Sequence, residues 1–283
     1  MGPEEVGKKG QVLETKVTTV RLVRRKAKGE KIVSLTAYDY PTAVILDRAG
    51  VDLILVGDSA ANVVYGQPTT LTIGMEEMVY HTRAVASGVR RALVVADMPF
   101  MSYQVSVQAT VENAGRLLKA GAEAVKLEGA GPILETVRRL VELGIPVLGH
   151  LGLTPQAIHK LGGTRVQARR PEEQERLVSD AHALEEAGCF GVVLEKVPAE
   201  VARRVTEELA IPTIGIGAGP DCDGQILVLH DMLGLADAPP FKFVKRYANL
   251  WEEITEAVKR FGEDVRQGRF PAEEHTFHVD EGH

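Results

Sequence analysis

The stretch ALVVADMPFMSYQVSVQATVENAGRLLKAGAEAVKLEGA, residues 92–130, decides the fold because it contains one complete strand–helix–strand unit. It begins and ends with short apolar runs whose hydrophobic residues are continuous rather than alternating, as in parallel strands covered on both faces. Between the runs, residues 105–120 have helical periodicity, and Gly121 follows where a left-handed helix cap is favoured. The stretch therefore predicts a strand, a helix and a second strand parallel to the first.

The same unit recurs along most of the chain. Six further apolar runs rich in β-branched residues begin at Lys31, Leu53, Pro146, Phe190, Pro212 and Gln225. Stretches with helical periodicity separate most of these runs. Eight strands alternating with helices over about 200 residues favour an α/β protein with one closed (β/α)8 barrel of the TIM type over two open sheets.

The ends of the chain differ from its middle. Residues 1–16 are polar and are expected to form a disordered tail, and residues 272–283 are expected to form a solvated one. Residues 17–271 are expected to form a single catalytic barrel domain. Within it, residues 18–28 predict an amphipathic basic helix that closes the barrel floor, and residues 241–268 predict extra C-terminal helices.

Composition excludes several classes of protein. The 33 Lys and Arg against 39 Asp and Glu give a net charge of −6, which disfavours a broad nucleic-acid-binding surface. Cys189 and Cys222 stand alone, so neither a disulfide framework nor a zinc site is indicated. No secretory leader is expected, because residues 1–10 contain no apolar stretch, and no apolar run approaches the roughly 18 residues that span a bilayer. We therefore expect a cytoplasmic protein that does not bind membranes.

Ionisable side chains terminate nearly every predicted strand. In chain order these residues are Tyr38 and Asp39, Asp58 with Ser59, Asp97, Lys126 with Glu128, His150, Glu195, and His230 with Asp231. The carboxyl ends of the strands in a parallel barrel meet at one mouth, where the active sites of this fold lie. A single acidic residue after a strand is as often a solvated loop residue, but so many at equivalent positions indicate a shared site.

Four of these residues, Asp58, Asp97, Glu128 and Glu195, are acidic and would repel one another without a bound cation. Oxygen ligands without a cysteine pattern favour a hard ion, and Mg²⁺ suits a site that uses one or two carboxylates together with substrate oxygens. Lys126 would suit a substrate carboxylate. Removal of the α-proton from a 2-oxo acid is one reaction such a site supports, among the many that use this fold.

At these residues the sequence resembles the ketopantoate hydroxymethyltransferase family. The matching segments, in order, are LTAYDYPTA (35–43), LVGDS (55–59), VADMPFMSY (95–103), AVKLEG (124–129), GHLGLTPQ (149–156), IPTIGIGAGPDCDGQILVLHDMLG (211–234) and FVKRYANL (243–250). The resemblance implies a (β/α)8 barrel that uses Mg²⁺ and transfers a hydroxymethyl group from 5,10-methylenetetrahydrofolate to 3-methyl-2-oxobutanoate. It also implies a homodecamer.

The resemblance further implies a role for each site residue. It makes Asp58, Asp97 and Glu128 metal ligands, with Asp58 and Asp97 also contacting the oxo acid, and it makes Glu195 the proton acceptor. Ser59 and Lys126 match substrate-binding positions, and His150 is assigned a substrate contact. Ala60 and Ala61 depart from the bulkier residues expected there, which predicts a slightly roomier substrate pocket.

Two other hypotheses remain open at this stage. Barrels of the carbon–carbon lyase and phosphoenolpyruvate mutase kind also place Mg²⁺ carboxylates at strand ends and act on oxo acids. A barrel could also serve as a catalytically silent scaffold, although such a protein is expected to have lost its site carboxylates, and here all four are present.

Overall fold

A closed barrel of eight parallel strands forms the centre of the computed structural model, which describes residues 15–236 and 240–279. Each strand pairs with the next in sequence, and the last pairs with the first. The strands are β1 (Ile32–Thr36), β2 (Leu53–Val56), β3 (Leu93–Asp97), β4 (Ala124–Glu128), β5 (Val147–Gly152), β6 (Gly191–Glu195), β7 (Thr213–Ile216) and β8 (Gly224–Leu227). The predicted (β/α)8 barrel is confirmed.

Helices lie between most of the strands and at both ends of the described chain. They are α1 (Thr19–Ala27), α2 (Tyr40–Arg48), α3 (Ala60–Val63), α4 (Met75–Gly88), α5 (Val107–Lys119), α6 (Leu134–Glu142), α7 (Ile158–Leu161), α8 (Pro171–Glu186), α9 (Ala199–Glu208), α10 (Leu229–Leu233) and α11 (Leu250–Arg266). The chain divides into two compact units, one up to Leu227 and one from Val228 onward. The first unit contains the whole barrel and α1–α9, and the second contains α10 and α11.

The hydrophobic core of the first unit lies inside the barrel. Its members alternate along the strands with residues that face the helices, and they include Ile32, Leu53, Leu55, Leu93, Val95, Ala124, Leu148, Val193, Ile214 and Ile226. Leu22 of α1 belongs to the same cluster and is 1% exposed. Because the barrel interior is filled by side chains in this way, it is a packed core and not a pore.

Helix α1 closes the amino-terminal end of the barrel, as the sequence predicts. The side chain of Thr18 caps the helix by accepting a hydrogen bond from the backbone N–H of Arg21. Arg25 forms an ion pair with Asp52 at 2.6 Å, and Lys26 forms one with Asp223 at 2.9 Å. Asp52 and Asp223 immediately precede β2 and β8. These ion pairs therefore bind the helix to the amino-terminal ends of two strands, at the end of the barrel opposite the expected mouth.

The element boundaries differ from the prediction mainly around short segments. Helices α3 and α7 have only four residues each and were not predicted, because one turn contains no measurable periodicity. His230 and Asp231, which the sequence places at the end of the last strand, lie on α10 instead, since β8 ends at Leu227. Residues 1–14 and 280–283 of the two predicted tails lie outside the described residues.

No helix among residues 15–236 and 240–279 is long and apolar enough to cross a membrane. The predicted domain boundaries at residues 17 and 271 stay predictions.

Candidate active site

All seven predicted site residues lie at the carboxyl ends of neighbouring strands. The residues are Asp58 and Ser59 after β2, Asp97 on β3, Lys126 and Glu128 on β4, His150 on β5 and Glu195 on β6. Strand register aligns them, because Asp97 is paired with Lys126, Glu128 with His150, and Gly152 with Glu195. The parallel barrel therefore converts residues distant in sequence into neighbours at one mouth.

Lys126 lies at the centre of this cluster, and its side chain is only 4% exposed. Its Nζ is 2.7 Å from Oδ1 of Asp97, 3.7 Å from Oε1 of Glu128 and 3.2 Å from Nδ1 of His150. Burial alone would lower the pKa of Lys126, but the charges of Asp97, Glu128 and Asp58 outweigh it and raise the pKa above its usual value. Lys126 is therefore a buried ammonium ion held by carboxylates.

His150 connects the cluster to Glu195. Its Nε2 lies 3.3 Å from Oε2 of Glu195, and its Nδ1 lies 3.4 Å from Oε1 of Glu128. Burial and the charge of Lys126 act to lower the pKa of His150, but the two carboxylates outweigh them and raise it to about 9. The side chain of Glu195 is 16% exposed, against 3% for that of His150, so Glu195 is open to a ligand in the mouth.

Gly152 allows β5 and β6 to approach closely beside Glu195. Its φ is +90°, and a Cβ at this position would lie 2.2 Å from the carbonyl oxygen of Glu195. Any other residue would displace the strand end that carries Glu195. Glycine is thus required here by the position of the site.

The three remaining carboxylates differ in their environments. Burial and the charges of Asp97 and Glu128 raise the pKa of Asp58 to about 8. Burial also raises the pKa of Asp97, even though Lys126 opposes it. In Glu128 burial acts in the same direction, but His150 and Lys126 outweigh it and lower the pKa. The mouth therefore holds more acidic groups than its protein cations neutralise.

Ser59 is held beside the carboxylates by Tyr38. The hydroxyl groups of these two residues are 2.8 Å apart. The backbone carbonyl of Tyr38 lies 2.7 Å from Nδ1 of His81, whose Nε2 lies 2.7 Å from the hydroxyl of Tyr65. This chain of hydrogen bonds fixes the segments that follow β1 and β2 at the rim of the site.

Sequence reasoning missed two buried polar residues at the mouth, Gln156 and Tyr103. The side-chain amide of Gln156 donates to Oδ2 of Asp58 at 3.0 Å, and the hydroxyl of Tyr103 donates to Oε1 of Gln156 at 2.8 Å. Both residues occur within the segments that resemble the family, GHLGLTPQ and VADMPFMSY. Tyr103 lies in a bend and Gln156 in the single 3-10 turn Pro155–Ala157, both beyond the strand ends, where sequence periodicity does not indicate which way a side chain points.

The donor set suits a hard cation. Among the described residues, no group of three or more His, Cys, Asp or Glu is already arranged as a metal cage. Mg²⁺ does not need one, because it completes its shell with water and substrate oxygens. Asp97 Oδ1 and Glu128 Oε1 are buried and, in the described part of the chain, lie beside the charged groups Lys126 and His150 without a hydrogen bond from an uncharged donor. Buried oxygens of this kind, beside Asp58, fit a divalent ion.

Solved structures share the fold of this chain. Phosphonopyruvate hydrolase, in a complex with oxalate and Mg²⁺, matches with a TM-score of 0.60 and 15% identity, covering 94% of this chain and 93% of that one. The 2,3-dimethylmalate lyase of the PEP mutase/isocitrate lyase superfamily matches with a TM-score of 0.57 and 16% identity, covering 92% and 91%. Identities this low show the fold alone. The fold and the site described above together define a class of protein, the (β/α)8 barrels with acidic residues at the mouth.

Sequence comparison identifies the family within that class. The profile described as ketopantoate hydroxymethyltransferase matches residues 16–273. The 3-methyl-2-oxobutanoate hydroxymethyltransferase of Moorella thermoacetica is 56% identical over 264 residues, covering 93% of this chain and 98% of that protein. The enzyme of the same name from Pyrococcus abyssi is 56% identical over 259 residues, covering 92% and 91%. The chain belongs to the ketopantoate hydroxymethyltransferase family, whose members are transferases.

Proposed function

We propose that the protein transfers a hydroxymethyl group from 5,10-methylenetetrahydrofolate to 3-methyl-2-oxobutanoate, giving 2-dehydropantoate. The family and the names of its relatives support the oxo acid and the product. The observation that carries the proposal is the arrangement of a buried ammonium, three buried carboxylates and an accessible fourth carboxylate, Glu195, at one barrel mouth.

Asp58, Asp97 and Glu128 are the residues that would hold Mg²⁺. When bound, the ion would supply positive charge to the 2-oxo and carboxylate oxygens of the substrate and so acidify the hydrogen on C3. Lys126 and Ser59 would bind and orient the substrate carboxylate, and His150 would contact the substrate from the neighbouring strand. The carboxyl-end position of all these residues agrees with the location of active sites in this fold.

Glu195 is the proposed proton acceptor. It would take the C3 proton, and the resulting carbanion would attack the methylene carbon of the folate, so that a carbon–carbon bond forms. One of the two C–N bonds of that methylene would break as the carbon–carbon bond forms, and water would displace the remaining nitrogen, so that the water oxygen becomes the new hydroxyl group. The C3 proton and one water proton would end on the two freed nitrogens, and tetrahydrofolate would leave. His150, 3.3 Å from Glu195, would orient the carboxylate before the proton transfer and stabilise its charge.

The proposal includes the setting of the enzyme. We place it in the cytoplasm, in agreement with two buried, unpaired cysteines among the described residues, and we propose a homodecamer. The apolar residues Trp251, Ile254, Val258, Phe261 and Val265 are spaced at helical intervals along α11 and are about half exposed. Such a stripe supports association between copies of the chain.

The direct test is product formation from purified protein, the oxo acid and the folate, with and without Mg²⁺. We expect turnover that a chelator abolishes and added Mg²⁺ restores. Glu195→Gln is expected to lower kcat at least about 100-fold, the usual contribution of a general base. Glu207→Gln on α9, whose side chain is exposed, is the matched control and is expected to leave kcat unchanged.

Two alternative outcomes would redirect the assignment. Release of pyruvate or glyoxylate from 2-hydroxy acid substrates would favour the alternative hypothesis of a carbon–carbon lyase. Binding of an oxo acid without any turnover would favour a silent scaffold.

A further inference from the structure

Each of the three carboxylates proposed to hold Mg²⁺ has one oxygen bound by an uncharged N–H group. Oδ2 of Asp97 accepts from the backbone of Asp58 at 2.9 Å. Oδ2 of Asp58 accepts from the side-chain amide of Gln156, and Oε2 of Glu128 accepts from the backbone N–H of Gln156, both at 3.0 Å. Gln156 therefore contacts two carboxylates that come from different strands.

The orientation of the Gln156 amide follows from its partners. Its Nε2 also donates to the carbonyl of Met98 at 2.9 Å, and its Oε1 accepts from the hydroxyl of Tyr103. The Tyr103 hydroxyl in turn accepts the backbone N–H of Glu128 at 3.2 Å, which directs its proton toward Gln156. A flipped amide would place Oε1 against two acceptors, the Asp58 carboxylate and the Met98 carbonyl, so this orientation is the favoured one.

The second oxygens of the carboxylates face positive charge instead. Oδ1 of Asp97 and Oε1 of Glu128 are buried, and they lie 2.7 and 3.7 Å from Nζ of Lys126. Neither accepts a hydrogen bond from an uncharged donor in the described part of the chain. In Asp97 and Glu128, one oxygen is thus bound by an uncharged N–H group, and the other lies beside the Lys126 ammonium.

We infer that Gln156 is a positioning residue for the cation: it turns Asp58 and Glu128 so that one oxygen of each remains for the metal, and Tyr103 fixes its amide. Uncharged donors suit this task because they orient carboxylates without neutralising them. Groups that orient metal ligands in this way typically change metal affinity 10- to 100-fold when removed. The inference rests on the proposed Mg²⁺-dependent function.

The test measures metal binding directly, by titration of the substrate-free protein with Mn²⁺ followed by electron paramagnetic resonance, and with Mg²⁺ by calorimetry. Gln156→Met keeps the volume and the backbone N–H to Glu128 but removes the donor to Asp58. We expect its Kd for either metal to rise about 10- to 100-fold, with kcat recovering to within about threefold of wild type at saturating metal. A merely structural role would lower stability and would lower kcat even at saturating metal, without a matching rise in the metal Kd.

Tyr103→Phe provides a second variant that removes one hydroxyl and retains the ring. It removes the shorter of the two donors to Oε1 of Gln156 and leaves only the amide of Gln104 at 3.4 Å. We therefore expect an increase in metal Kd of about threefold to tenfold, smaller than that of Gln156→Met. If Gln156→Met fails to fold, Tyr103→Phe decides the question. Gln108→Met on α5 and Tyr80→Phe on α4, both exposed, are the matched controls and are expected to bind metal as wild type does.

The outcomes separate this inference from the function on which it rests. If wild type binds Mg²⁺ and turns over while folded Gln156→Met and Tyr103→Phe bind it within twofold of wild type, the positioning role is wrong and the proposed function stands. If wild type shows neither metal binding nor turnover, both are wrong.

Discussion

Lys126 illustrates how a single buried residue depends on its neighbours. Its ammonium group is 4% exposed and lies within 4 Å of two carboxylates and one imidazole. Taking an ion out of water costs several kcal/mol unless opposite charges and hydrogen bonds compensate. In the absence of metal, Lys126 and the carboxylates stabilise one another, so removing either partner leaves an uncompensated buried charge.

Lys126→Met is therefore expected to lower the free energy of unfolding of the metal-free protein by about 3–5 kcal/mol. Protonation of the neighbouring carboxylates in the variant would make this loss smaller. Urea unfolding at pH 7 measures this loss. Lys119→Met on α5, where the lysine is exposed, is the control and is expected to change the free energy of unfolding by less than about 0.5 kcal/mol. Equal stability of the two variants would show that the buried ion pairs contribute nothing.

The residues of the site were predictable to different degrees. Asp58, Asp97, Lys126, Glu128, His150 and Glu195 come at or just after strand ends, and the barrel dictates that such residues converge. Gln156 and Tyr103 lie in short segments beyond the strand ends, Gln156 in a 3-10 turn, and their contacts depend on how these segments fold back over the mouth. The roles of Asp58, Asp97 and Glu128 as metal ligands and of Glu195 as the base are predictions that metal binding and substrate turnover test.

At the scale of elements, α1 shows how an amphipathic helix completes the barrel. Its basic residues contact the acidic residues before β2 and β8, and its one fully buried residue, Leu22, enters the core. The pattern of the sequence was sufficient to predict this helix, since it spans more than two turns. It was not sufficient for α3 and α7, whose four residues each are fixed by tertiary contacts.

Leu22→Ala is expected to lower the free energy of unfolding by about 2–5 kcal/mol, because it removes buried apolar surface and leaves a cavity at the barrel floor. The helix offers its own control in Val20→Ala, since Val20 is 56% exposed. Chemical denaturation of both variants measures the difference. A loss for Leu22→Ala no larger than that for Val20→Ala would contradict the role of α1 as a packed floor.

The loop between β5 and α8 carries an unbalanced positive charge near the site. Lys160, Arg165 and Arg169 are exposed and form no ion pair within the described residues. The backbone N–H of Gln167 donates to the carbonyl of Lys196, the residue after Glu195, at 2.8 Å. This contact holds the loop beside the proposed base, where the anionic glutamate tail of the folate would meet its cations.

Replacing these three cations by glutamine is expected to raise KM for 5,10-methylenetetrahydrofolate about fivefold, as expected for three solvent-exposed charge contacts, and to leave KM for the oxo acid unchanged. Steady-state kinetics at low and high salt measures both constants, and salt should reduce the difference from wild type. A triple variant of Arg83, Arg138 and Arg203, exposed arginines on outer helices, is the charge-matched control. Equal folate KM values in both triple variants would exclude the loop from folate binding.

At the scale of the whole molecule, the barrel was the most predictable feature. Eight continuous apolar runs, most of them followed by a helical stretch, leave few other ways to cover both faces of the strands. The predicted position of His230 and Asp231 at the end of the last strand was wrong, because both lie on α10. The apolar run continues past Leu227, and a run of hydrophobic residues does not show where a strand becomes a helix.

The homodecamer is a further prediction at this scale. Sedimentation equilibrium of the wild-type protein is expected to give a mass about ten times the 30.7 kDa of one chain. The apolar stripe of α11 supplies a variant, Phe261→Glu, which should reduce that mass if the stripe is buried between copies. A wild-type mass near that of one chain would contradict the decamer without affecting the proposed chemistry.

Removal of the C3 proton is the central claim, and exchange of that proton tests it most directly. The protein is incubated with 3-methyl-2-oxobutanoate in D₂O, with and without Mg²⁺ and with no folate, and the C3 proton is followed by NMR. We expect loss of the signal that requires Mg²⁺ and disappears in Glu195→Gln. Absence of exchange even after tetrahydrofolate is added, or undiminished exchange in Glu195→Gln, would contradict the account.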